Sequence, residues 1–480
     1  MERVSKGLLA VAVSTALGAP LAAHATNGMN LEGYGPIATG MGGASMAYDN
    51  GTAAVMNNPA TLGLMEDGNR LDFAIGALRP DVSASHPMSP TDWDSDGDAY
   101  YMPAFGWAHK AGQLTYGFAA FAQGGMGTEY SGGGSGTAFT QMTLRGAGAD
   151  PSLVADWDER SEVGVMRLII PLAFNVNEQL TVGGSIDWVR ATMDLQMAMP
   201  ASVMGDMLMN PNSTVGTIDG SLTTALMTMT GGNPNNLYGG YFDFSDSSDF
   251  SGETEGSGLA GKLGVTFKVN ESLTVGATYH SETDMGDLTG SADMQVAFTP
   301  DGNPANAMVQ TVPGKIKIKN FQWPSTFGVG VAFQPSERLM VAADVKRINW
   351  SDVMKDFKMV FTADGGMGDL NATMFQDWDD QTVYQFGAAF KATDTITLRA
   401  GANIAENPIP DRTVHYLFPA IVENHYTVGI GYDIPSNGEI NFAVAYAPEV
   451  EVTGSNPTSN GDLDISHSQL NYQLMYSHRF

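Results

Sequence analysis

Runs that alternate apolar with small or polar residues recur along most of this chain, in pairs separated by short polar turns. They read NVNEQLTVGGSIDW at 175–188, KVNESLTVGATYHS at 268–281, QPSERLMVAADVKR at 334–347 and KATDTITLRAGANI at 391–404, with IPSNGEINFAVAYA at 434–447 as a looser copy. A period of two is the period of a β-strand, and a tight polar turn between two such runs makes a hairpin. The connections on the other side are long, near 81–99, 124–160, 195–255, 287–314, 353–379, 406–422 and 449–466, and rich in Gly, Asp, Ser, Asn and Met. Short turns at one end and long loops at the other characterise an outer-membrane barrel. The pattern predicts an all-β chain, a 14-stranded antiparallel transmembrane β-barrel. Its strands lie near 69–79, 100–110, 112–123, 162–175, 179–193, 257–268, 272–286, 315–333, 338–352, 381–391, 394–405, 423–433, 438–448 and 467–480.

A soluble secreted sandwich or propeller shows the same alternation. The last strand argues for the barrel: LNYQLMYSHRF puts Leu470, Tyr472, Leu474, Tyr476 and His478 on one face and ends on Phe480. Such an ending resembles the signal that hands barrels to their insertion machinery. Trp107, Trp188, Trp323 and Trp350, at strand ends, suit an interfacial aromatic girdle.

Residues 1–25 read as a secretory signal: Arg3 and Lys6 form a basic start, Gly7 to Pro20 an apolar stretch, and Ala23-His24-Ala25 a cleavage site before Thr26. No other stretch approaches the roughly 20 apolar residues of a spanning helix. The chain carries 52 acidic against 23 basic residues, a net charge of −29, which disfavours nucleic acid as a partner. It has no cysteine, so disulfides, thiolate metal sites and cysteine nucleophiles are excluded.

Residues 27–63 break the pattern. NGMNLEGYGPIATGMGGASMAYDNGTAAVMNNPATLG holds eight glycines and only two charged residues, Glu32 and Asp49. It is too rich in glycine for a stable helix and too low in charge for a solvated tail. Such a segment needs a wall to pack against.

These features together resemble the FadL-type family of outer-membrane transporters for long-chain fatty acids and other hydrophobic compounds, which includes toluene-type channels. The resemblance covers the whole mature chain. It is carried by Asn27-Gly28, Gly40-Met41-Gly42-Gly43-Ala44, Asp49 and Asn58-Pro59-Ala60, by FAAFAQGGMGTEY at 118–130, by ENPIPDRTVHYLFP at 406–419 and by YTVGIGYDI at 426–434. It implies a signal peptide over 1–25, an N-terminal hatch over 26–68 that plugs the lumen, and a barrel with long extracellular loops over 69–480. It implies residence in the outer membrane of a Gram-negative bacterium as a monomer, amid lipid and lipopolysaccharide. It also implies that hatch shifts connect internal sites and that a kink in the third strand opens the wall sideways. Asn58 before Pro59 is held extended in any case, because a residue preceding proline avoids the α region. Gly124-Gly125 is the place to break strand pairing, unless these glycines only start the loop.

The segment 195–255 is the expected capture surface, with Met193, Met197, Met199, Met204, Met207, Met209, Met227 and Met229. Methionine suits surfaces that accept varied apolar shapes; the alternative is that these methionines pack the loop against itself. VMGDMLM at 203–209 and LTTALMTM at 222–229 fit short amphipathic helices. A carboxylate ligand would want a lumenal cation. Alternation in GKIKIKNF, RLMVAADVKR and TITLRAGAN points Lys317, Lys319, Lys346 and Arg399 inward, either to meet a ligand or to pair with acids such as Asp187 and Asp344. Asp92, Asp94 and Asp96 resemble the start of a calcium loop whose final Glu is missing. No cofactor is called for, and no G-x-S-x-G signature suggests an enzyme. The reading is uptake of long-chain fatty acids or similar hydrophobic molecules. A carrier of neutral hydrocarbons (alkanes or monoaromatics) and a diffusion porin are the alternatives.

Overall fold

The computed structural model describes residues 27–86, 92–131, 150–248, 251–435, 437–455 and 462–480. The expected signal peptide lies outside the described residues. After the buried segment 27–65, the chain builds β1 (Gly68–Ser85), the short β2 (Trp93–Asp94), β3 (Tyr100–Ala111), β4 (Leu114–Tyr130), β5 (Glu159–Asn175) and β6 (Leu180–Pro200). It then makes three excursions and returns from each. The first holds β7 (Gly216–Asp219) and β8 (Leu237–Phe244) before β9 (Thr254–Asn270) and β10 (Leu273–His280). The second holds β11 (Asp284–Met285), β12 (Leu288–Phe298) and β13 (Met308–Lys319) before β14 (Thr326–Ser336) and β15 (Leu339–Ile348). The third holds β16 (Asp356–Ala363) and β17 (Gly368–Phe375). The chain ends with β18 (Gln381–Lys391), β19 (Ile396–Ile404), β20 (Asn424–Ile434), β21 (Gly438–Gly454) and β22 (Leu463–Arg479).

The antiparallel ring runs β1–β3–β4–β5–β6–β9–β10–β14–β15–β18–β19–β20–β21–β22 and closes on β1, with Arg70 opposite Arg479 and Ser85 opposite Asp464. Closure removes the edges that an open sheet would leave unpaired in lipid. Along the spanning strands the outward residues are apolar and exposed, among them Ile75, Ile170, Leu263, Phe327, Val428 and Leu474. Their inward neighbours are polar and buried, such as Asp187, Gln385, Asn403, Asn441, Asn471 and Gln473.

The expectation of a 14-stranded antiparallel transmembrane β-barrel is corrected: among the described residues the hydrogen-bonded sheet has 22 strands, and the strands of the ring are only part of it. Segments expected as loops form β2, β7, β8, β12, β16, β17 and the first part of β13, while β11 occupies the end of the strand expected over 272–286; all eight stand beyond the ring. The single strand expected over 315–333 is two: β13 pairs with β12 and β16, while β14 pairs with β10 and β15. Ring strands also run past their expected ends at 123 and 193: β4 continues to Tyr130 and β6 to Pro200.

The outer extension encloses an apolar core. Met193, Met197, Phe242, Met294, Ile316, Ile318, Phe361 and Met374 pack there with Trp323, Trp350 and Trp378. Two of the four tryptophans expected in the interfacial girdle are therefore misplaced: Trp323 and Trp350 are 1% and 0% exposed. Trp350 stacks edge-to-face on Trp323 and on Trp378, at 5.8 and 5.3 Å.

Candidate functional site

Glycine-rich irregular backbone inside a barrel needs hydrogen-bond partners that water cannot supply. The inward side chains of the wall supply them. Gln385 Nε2 donates to Glu32 O at 2.9 Å and Gln473 Nε2 to Gly33 O at 3.2 Å. Asp344 accepts from Ser45 N at 2.6 Å and from Met46 N at 3.0 Å. Asp72 accepts from Thr52 N at 2.8 Å, and Lys110 Nζ donates to Gly63 O at 2.9 Å. Gly40 packs on Gly429. Gly42 and Gly43 have φ of 68° and 84°, and a Cβ on either would run into backbone or a side chain of the wall. Met41 is fully buried between β18 and β19. Glu32 is also fully buried; burial pushes its carboxyl up to about 7, against a weak opposing bond from Asn471 at 3.4 Å.

Asn58-Pro59-Ala60 is a junction. Asn58 has φ −131° and ψ 107°, the extended geometry required before proline, and a short 3-10 helix follows over Pro59–Leu64. Its side chain accepts from Ala60 N at 3.1 Å and donates to Met46 O at 2.8 Å and Val265 O at 3.2 Å. One amide thus ties the hatch to itself and to β9. Asp49 is half-buried and accepts from Gly51 N at 2.9 Å.

The other end of the hatch meets β4. The β3–β4 ladder stops at Ala104 opposite Phe121. Two residues on, the β4–β5 register shifts between Ala122 and Gly124, so Gln123 is a β-bulge. Beyond it β3 pairs with β1 and β4 with β5, but not with each other. Pro103 on the β3 side has no N–H to offer across the break. Higher up, Asp96 N donates to Glu129 O at 2.7 Å and ends the opening. The result is a window in the wall. On its inner side the hatch takes the place of β3: Asn30 bridges Gly124, and Gly125 N donates to Met29 O at 3.2 Å. Tyr34 Oη donates to the freed Gln123 carbonyl at 2.7 Å. Asn30 Oδ1 accepts from Trp323 Nε1 at 2.8 Å, and Gly28 lies against Trp350. Asn27 turns onto Asn30, whose N–H it accepts at 3.2 Å.

Two apolar cavities flank this junction. The larger, 610 Å³, lies at the window and is lined by Leu31, Met102, Pro103, Ala122, Gly124 and Val165. It reaches Tyr101 and Phe73, which face out of the barrel and are 54% and 52% exposed. The smaller, 50 Å³, sits above, among Met193, Met197, Phe321, Met354, Phe357 and Trp378. Met29, Met126 and Val163 line both. The arginines on their walls are already ion-paired: Arg190 with Glu255, and Arg412 with Asp377 at 2.5 Å. His415, on the upper cavity, is held down at about 4 by burial and is neutral.

Other expected residues fall elsewhere. Lys317 and Lys319 do not face the lumen. Their strand β13 belongs to the outer extension, whose inner face is apolar; Ile316 and Ile318 fill it, so the lysines point to solvent. Lys346 does face inward, near Asp344 and Glu32, but lines neither apolar cavity. Arg399 donates to Asn441 Oδ1 at 2.9 Å and lines a polar hollow of 200 Å³ at the short-turn end, with Tyr48 and Asp49.

Of the capture methionines, Met197 lines the upper cavity. Met199, Met204 and Met207 are buried in the outer core, Met227 and Met229 are half-buried, and Met209 is 71% exposed. The two expected helices form, over Ala201–Met209 and Leu222–Met229. Asp92, Asp94 and Asp96 are all exposed, and Asp96 accepts from Ser131 Oγ at 2.7 Å. Among the described residues no group of three acidic, His or Cys side chains is arranged to hold a metal ion. Sequence reasoning missed Met29, Gln123 and Arg167; the signal for the first was its place in the glycine-rich segment.

The family model for "Outer membrane protein transport protein (OMPP1/FadL/TodX)" matches residues 12–477. Among solved structures, the toluene transporter TodX of Pseudomonas putida is 30% identical, with a TM-score of 0.78, 94% of this chain and 99% of that one covered. The toluene transporter TbuX of Ralstonia pickettii is 28% identical, TM-score 0.73, with 94% and 99% covered. A FadL homologue of Pseudomonas aeruginosa, at 15% identity and TM-score 0.67 over 94% and 100%, shares the fold. An uncharacterized protein of Chlorobium limicola, named for its place in the phosphoenolpyruvate carboxykinase gene 5' region, is 56% identical over 75 residues. That match spans 15% of this chain and 36% of the relative. The chain belongs to the OMPP1/FadL/TodX family, transport barrels that carry hydrophobic compounds across the outer membrane of Gram-negative bacteria.

Proposed function

We propose that this transporter takes neutral hydrophobic solutes of monoaromatic size through the upper cavity, past Met29, and out of the barrel wall through the window at Gln123. The observation that carries the reading is the pair of apolar cavities meeting at the hatch tip, one of them open to the lipid-facing surface. A solute that partitions poorly into water gains by staying among apolar side chains, at about 25 cal/mol per Å² kept from water. Release into the membrane preserves that gain, whereas release through the hatch would cross a polar lumen. The docked hatch argues against a diffusion porin.

The neutrality of the solute rests on the cavity walls. Their arginines are paired and His415 is neutral, so a carboxylate would bury its charge at a cost of several kcal/mol. Toluene transport by the similar TodX and TbuX supports the same choice. Labelled toluene and labelled oleate, supplied to cells that lack their own transporters and express this chain, test it. Faster uptake of toluene is expected; uptake of oleate alone would refute the neutral-solute reading.

A further inference from the structure

Behind the bulge lies a buried group of charges that the path described above does not touch. Arg167 on β5, Asp187 on β6 and Lys262 on β9 are each no more than 2% exposed. Arg167 Nη1 donates to Asp187 Oδ2 at 2.9 Å, and Lys262 Nζ contacts the same oxygen. Ser185 Oγ donates to the other oxygen at 2.6 Å. Two cations therefore share one carboxylate.

An excess buried cation needs a further acceptor. That acceptor is Gln123, the bulge residue, whose side-chain oxygen takes the Arg167 Nε–H. Gln123 is held from both the hatch and the wall. Its backbone carbonyl accepts from Tyr34 of the hatch and its Nε2 makes a long 3.5 Å bond to Asn30 Oδ1 of the hatch, while its side-chain oxygen accepts from Arg167 of the wall. If the hatch retreats, Gln123 loses Tyr34 and Asn30 but keeps Arg167.

We propose that Arg167, Asp187 and Lys262 are positioning residues that keep β4 bulged at Gln123, so that the window stays built when the hatch moves. The hatch is then the moving part and the window a fixed part of the wall. This rests on the lateral-release reading above. A wall held open by the hatch alone would close as the hatch left, at the moment release is needed. Arg167, through its Nε–H to the Gln123 side chain, supplies the missing hold.

The test replaces the three charges with apolar residues of similar size, Arg167→Met, Asp187→Leu and Lys262→Met. Such replacements of buried ion groups commonly preserve folding. Toluene uptake is measured as a rate against concentration, beside leak of a small polar solute. The expected result is a roughly tenfold lower maximal rate with an unchanged half-saturating concentration and no new leak. Spin labels at Tyr101 and Met166, which flank the window and face outward, should report a shorter distance. Arg167→Lys, which keeps a charged donor, should recover part of the rate. A folded triple variant with wild-type uptake and label distance would overturn the proposal. Deletion of Gln123 separates this from the reading beneath it. If that deletion abolishes uptake and the triple variant does not, only the positioning role fails. If the deletion also leaves uptake intact, lateral release itself fails.

Discussion

Asn58→Ala is expected to loosen the hatch without unfolding the barrel. The Asn58 side chain is fully buried and makes three hydrogen bonds, to Met46 O, to Val265 O and from Ala60 N. Val265 sits in the β9 ladders, opposite Val182 and Ala277. The substitution therefore strands Met46 O and Ala60 N. A buried group left without its partner costs about 1–3 kcal/mol, so the docked hatch loses roughly 3 kcal/mol, or about a hundredfold in the docked-to-undocked ratio. The barrel ladders are untouched, and its thermal unfolding should hold. Single-protein conductance in a planar bilayer reads the difference directly. Brief openings should become about a hundred times more frequent, with Asn58→Ser, which keeps an acceptor for Ala60 N, falling between. A variant as silent as the parent would refute the reasoning that this amide fastens the hatch.

The pH dependence of the same openings follows from Glu32. Its carboxyl is raised to about 7 in the docked hatch, so the docked state holds its proton where the undocked state, near 4.5, has lost it. Docking is therefore strongest below 4.5 and weakens as pH rises toward 7, by about 3 kcal/mol in all; conductance at pH 8 should exceed that at pH 5, and Glu32→Gln should flatten the difference. Gly124→Val places a side chain against Met29 O and should undock the hatch tip, which a raised polar-solute leak would report. Lys317→Ala with Lys319→Ala should leave uptake of both toluene and oleate unchanged, since both lysines face solvent outside the ring; a selective loss of oleate uptake would restore them as carboxylate partners.

The legible parts of this chain were those written by short-range physics. The polar turns near 176–179 and 392–395 do join β5 to β6 and β18 to β19, and the glycine-rich stretch is buried inside the ring. Proline at 59 dictates the geometry of Asn58 wherever it sits. What failed depended on which compartment a strand occupies. The same alternation in GKIKIK means lysine inside a membrane-spanning wall and lysine outside the outer extension with its apolar inner face, and sequence alone does not say which. Trp323 and Trp350 have the same ambiguity. The outer strands escaped because they are short and set within long Gly-, Asp- and Met-rich connections; β8 and β16 hold aromatic and β-branched residues, but only their cross-strand partners make them recognisable as strands. The bulge was legible only to within a residue. Gly124-Gly125 stands next to it, but only Arg167, far along the chain and across the ladder, marks Gln123 as the residue that steps out.

Deletion of Gln123 tests the lateral path most directly. Removing the single bulged residue lets β4 run in one register along β5 and brings its upper half level with the free edge of β3. The window should close while the hatch and the ring remain. The account predicts that hydrophobic solute still binds the purified protein but no longer reaches the cell, with polar-solute leak unchanged. Wild-type uptake by a folded variant lacking Gln123 would contradict it.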